Sequence, residues 1–158
     1  MFKKLSVAGI SLLLLGATSL GFTGLASAHA VAHHTSKAKQ TAAVEYAHAD
    51  LKGVGNKSHG VATLTLNTKT HTMTVLLKIW GLAKNSKHPA HIHAYKDGKT
   101  GKILYPFGVV HANAKGFAVE KGVFKDVKAI DDKGWIVNIH KDLTDYAVIC
   151  KGVVVAGK

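Results

Sequence analysis

From residue 42 onward, apolar and polar positions alternate with period two instead of 3.6, the signature of half-buried strands. In residues 60–67 (GVATLTLN), Ala62, Leu64 and Leu66 fall on one side, and Val61, Thr63 and Thr65 on the other. In residues 71–80 (HTMTVLLKIW), Met73, Val75, Leu77 and Ile79 share one face. Between them, Asn67-Thr68-Lys69-Thr70 has the composition of a hairpin connection. Residues 90–95 (AHIHAY) make a short strand between Pro89 and a Lys96-Asp97-Gly98 turn. Residues 116–124, 134–140 and 147–155 are further runs set off by Gly, Asp or Lys, and 43–49 is a weaker first strand. Residues 125–133 are expected to make at most one helical turn. Seven or eight short strands at this spacing predict an all-β fold over residues 42–158, a Greek-key antiparallel β-sandwich or flattened barrel.

The pattern before residue 42 is different. Lys3 and Lys4 precede an apolar stretch centred on residues 12–15, and Ala26-Ser27-Ala28 and Ala28-His29-Ala30 both fit a signal-peptidase site. Residues 1–30 are therefore expected to be a secretory signal peptide, cleaved after Ala28 or Ala30, with residues 31–41 as a flexible leader. Cleavage after Ala30 would start the mature chain Val31-Ala32-His33, an amine-plus-imidazole arrangement that can wrap Cu(II) or Ni(II). The expected location is outside the cytoplasm.

Composition narrows the chemistry. The chain has 158 residues and a formal charge of +12, with 21 basic residues, all Lys, and 11 His. Without Arg it lacks the side chain most used for bidentate base-edge contacts, so no sequence-specific nucleic-acid partner is expected. Cys150 is the only cysteine, which excludes an internal disulfide and a Cys-based zinc finger. Its place in an apolar strand marks a buried structural thiol. Dispersed Lys fits edge protection and solubility, and also adhesion to an anionic envelope polymer or lipid surface. Trp80, Trp135 and Phe117, set among apolar residues, are expected in the core. No hydrolase, P-loop or dinucleotide motif is present.

The histidines carry the most specific signal. On a strand, His91 and His93 point to one side and Ile92 to the other, with the two imidazole-bearing residues about 6–7 Å apart at Cα. His140 ends a strand on the face opposite Trp135, Val137 and Ile139, and His111 ends another apolar run. Neutral imidazoles without a carboxylate suit copper or zinc. His88 is a further possible ligand beside Pro89, whereas His48, His59 and His71 read as solvated positions.

The strings HPAHIHA (residues 88–94), GVATLTLN, WGL (80–82) and GWIVNIH (134–140) resemble the chordin-type (CHRD) domain of secreted bacterial proteins. The resemblance spans about residues 42–155 and implies an extracellular module. The family's usual Pro-Gly-Gly-Glu-Ile-Arg-Gly strand is replaced by residues 141–150 (KDLTDYAVIC). More distantly, the chain is similar to copper/zinc superoxide dismutase. That resemblance implies a copper site at His91, His93 and His140, with His111 in place of the bridging histidine. The zinc ligands, the guiding Arg and the partner of Cys150 have no counterpart. Two functions are therefore expected as alternatives. One is a copper- or zinc-binding protein with ligands His91, His93, His140 and His111, a metal carrier or a superoxide-related enzyme. The other is a metal-free adhesion module that uses a Lys-rich surface.

Overall fold

The structure is a computed structural model that describes residues 43–157. The expected signal peptide, its cleavage sites and the whole expected leader, His33 included, lie outside the described residues. Nine strands follow one another: β1 (Val44–Gly53), β2 (His59–Asn67), β3 (Thr72–Trp80), β4 (Lys87–Lys96), β5 (Lys99–His111), β6 (Ala118–Phe124), β7 (Trp135–His140), β8 (Val148–Val153) and β9 (Val155–Ala156). All pairings are antiparallel, in the order β5-β4-β7-β8-β1-β2-β3-β6, with β9 beside β1. The fold is all-β, as the alternation predicts.

The ends of this path meet. Phe107 of β5 and Phe124 of β6 have ring centroids 6.2 Å apart, and the His111 amide donates to Glu120 Oε1 at 3.2 Å. A Cβ at Gly122 would lie 2.8 Å from the Phe107 ring, so the missing side chain lets β5 settle onto β6. The sheet thus curls into a nearly closed barrel. Taken around it, β4, β5 and β6 run consecutively with β3 returning beside β6, a Greek-key connection.

The core follows the period-two pattern. Ala62, Leu64 and Leu66 of β2 and Met73, Val75, Leu77 and Ile79 of β3 are all at most 1% exposed. Each of the large ones contributes about 1.5–3 kcal/mol on burial. Asn67 Oδ1 accepts the amides of Lys69 and Thr70, which closes the expected hairpin. Cys150 is fully buried and free, and burial raises its thiol pKa.

Three expectations fail locally. β5 was not foreseen, because its 13 residues include three Lys-or-Thr positions at the start, two Gly and Pro106. It lies at the end of the ladder path, where a missing amide is tolerated. Residues 125–133 form no helical turn. Asp126 and Lys133 take positive φ, 62° and 61°, and Val127 plugs the core while its amide donates to the His71 carbonyl. Trp80 is 39% exposed and Phe117 is only half-buried; of the three rings expected inside, Trp135 alone joins the core.

Candidate metal centre

β4 and β7 pair in unbroken register from Ala90↔Ile139 to Ala94↔Trp135. His91 therefore faces Asn138 directly, and His140, two residues on, is its diagonal neighbour on the same face. His93 lies two residues along β4 from His91, again on that face. Ile92 turns the other way and is 1% exposed. Bulges on the β5 side of β4, beside His91 and His93, leave this alignment with β7 intact.

The three imidazoles converge, with one ring nitrogen from each lying within 4.8 Å of the others. His93 and His140 are buried and His91 is half-buried. Backbone carbonyls fix the tautomers, since a carbonyl can only accept. His93 Nδ1–H donates to the Gly101 carbonyl at 3.0 Å, and His140 Nδ1–H donates to the Tyr146 carbonyl at 2.6 Å. Both residues are left with an unprotonated Nε2. That of His140 takes a hydrogen bond from His91 Nδ1–H at 3.2 Å. That of His93 is buried with no partner among the described residues. Burial, then the neighbouring His140 and His93, lowers the pKa of His91 from its ordinary 6.5, so this ring favours its neutral form. No carboxylate or thiol belongs to the group.

A surrounding layer holds these rings. His88, 4% exposed, donates from Nδ1 to the main-chain carbonyl of His140 at 2.9 Å, and its Nε2 meets Ser86 Oγ at 2.6 Å. It acts as a prop for β7. Tyr146 lies parallel to His91, with ring centroids 6.3 Å apart and a 2° interplanar angle. Asn138 is 1% exposed and its Oδ1 has no hydrogen-bond partner among the described residues. The structure does not bring His111 to the triad. It pairs across to Lys87, four residues along β4 from His91, and its exposed ring faces Glu120 at 3.5 Å.

The sequence model of the CHRD domain family matches residues 41–145. This chain belongs to the CHRD domain family. A search of curated proteins finds no match. All three triad histidines lie inside the matched stretch of the CHRD domain. The match stops at Asp145, so Tyr146 and β8 lie beyond it. Asn138, Gly101 and Tyr146 were missed in the sequence. Asn138 was legible in principle, because it stands two residues before His140 on one strand face. The other two act through main-chain carbonyls and ring stacking, which residue type does not announce.

Proposed function

We propose that this CHRD domain is an extracytoplasmic protein that binds one copper ion, with zinc as the competing ion, through His91, His93 and His140. The observation that carries the reading is the buried, unpartnered Nε2 of His93 beside two further imidazole nitrogens. A buried polar atom without a partner is costly unless something occupies its lone pair. A metal ion is an occupant that this nitrogen, with two further imidazole nitrogens within 4.8 Å, would favour. All-nitrogen donors with no carboxylate suit copper and zinc, and affinity in such sites peaks at Cu(II).

The chain's own part in binding is preparation. The Gly101 and Tyr146 carbonyls hold two rings by Nδ1 and leave Nε2 as the acceptor, the support that metal-bound histidines ordinarily have. His91 must move its Nδ1 proton to the other ring nitrogen to offer a third donor. Three protein ligands leave a coordination position for an outside molecule, and copper there would supply redox chemistry. Capture or transport of copper is the first role. Turnover of superoxide is the stronger version of the same reading, with Lys alone available to attract the anion.

Metal analysis of protein purified without a His tag tests the reading. Stoichiometric copper, lost in a His91→Ala/His93→Ala variant, is expected. Free Cu(II) at 100 times its Kd should stabilise the wild type by about 2.7 kcal/mol. Absence of bound metal at neutral pH, with no thermal shift on adding Cu(II) or Zn(II), overturns it. A superoxide-consumption assay on copper-loaded protein separates enzyme from carrier.

A further inference from the structure

One cross-strand row on the outside of the barrel gathers features that the histidine triad does not use. Lys151 of β8 faces Lys52 of β1, Lys52 faces His59 of β2, and His59 faces Trp80 of β3. Phe117, one residue before β6, continues the row, since its neighbour Ala118 pairs with Ile79. The rings form a continuous strip. His59 and Trp80 stack at 5.8 Å and 14°, and Trp80 meets Phe117 at 5.0 Å and 32°. Trp80 is 39% exposed at the middle of it.

The other end of the row is cationic. Like charges directly opposite on neighbouring strands repel, yet Lys52 and Lys151 stand in that relation. Neither has an ion-pair partner within 4 Å among the described residues. Both line a hollow of about 410 Å³, in which Asp50 is the single acid. The row thus joins an unneutralised lysine pair in a hollow to an exposed aromatic strip. At 4.7–4.9 Å per strand, Lys151 to Trp80 spans about 14 Å.

We infer that this row binds an anionic polysaccharide, with an acidic substituent seated between Lys52 and Lys151 and sugar faces lying on the His59–Trp80–Phe117 strip. Sugar rings present flat C–H faces that stack on aromatic planes, and carboxylate or sulfate groups supply the complementary charge. An extended polymer matches a line of sites crossing the strands better than a bilayer, which spreads over an area and not along a row. The inference is independent of metal binding.

The test is binding of the full chain to polygalacturonate and to heparin, followed by tryptophan fluorescence and affinity electrophoresis. Neutral dextran and phosphatidylglycerol vesicles serve as controls. One or both polyanions should bind and perturb the emission of Trp80. Trp80→Ala should weaken binding about tenfold, the size of one lost aromatic contact. Trp80→Phe, which keeps a ring, should recover most of it. Lys52→Gln/Lys151→Gln should also weaken binding and flatten its salt dependence, while its thermal midpoint stays level or rises as the repulsion is relieved. His91→Ala/His93→Ala should bind as the wild type does. The inference is overturned if neither polyanion binds, if Trp80→Ala binds as tightly as the wild type, or if vesicles are preferred to both polymers.

Discussion

At the residue scale, the division of labour among the histidines is set by what each Nδ1 touches. His93 and His140 are held by carbonyls, His88 holds a carbonyl, and His111 faces an acid at the surface. These roles separate by mutation. His111→Ala should leave copper stoichiometry unchanged and shift stability by less than about 0.5 kcal/mol, the range of ordinary surface changes. His88→Ala should remove the side-chain donor to the His140 carbonyl, costing about 1–3 kcal/mol. It should also loosen copper binding without touching the ion, which a copper titration beside a denaturant melt would detect. Equal copper affinity in His88→Ala and wild type would remove the prop from the account. The H-x-H pair and His140 were legible because strand parity and strand-end position fix their face. His111 was misplaced because its strand, β5, was not recognised, and only the β4–β5 register shows how far along β4 it lies.

At the element scale, β2 and β3 were the easiest strands to read, and their alternation also contained the exposure of Trp80. If Ile79 points inward, the next residue must point outward; ring size and an apolar neighbourhood argued the other way, and parity won. β5 was illegible for a different reason. Lysines, glycines and a proline look like a loop in one dimension, and become a strand only because β4 offers a ladder and the outer edge tolerates Pro106. The closure between β5 and β6 depends on Gly122. Gly122→Val would push a side chain into the Phe107 ring, and a loss of about 1–3 kcal/mol is expected from overpacking. Urea denaturation with an unchanged slope would attribute that loss to the native barrel and not to the denatured chain.

At the scale of the whole molecule, His91 couples the cluster to pH. Its folded pKa lies below the ordinary 6.5. Between those two values the unfolded chain binds more protons, so metal-free stability rises with pH across that window and is lost as pH falls below 6.5. A His91→Asn variant should show a shallower decline there in pH-dependent melts. The same shift reduces proton competition for the ring as a metal ligand.

Cys150 gives the barrel an internal clock. It is the chain's single thiol, fully buried on β8, where Lys52 and Gly53 of β1 pair with Lys151 and Cys150 and the β7 ladder lies on its other side. No reagent reaches it while both ladders are intact. Its labelling rate in native buffer therefore counts openings of the sheet between β1 and β7, molecule by molecule and without denaturant. Any ligand that clamps β7 should slow that count by the factor by which it favours the closed barrel.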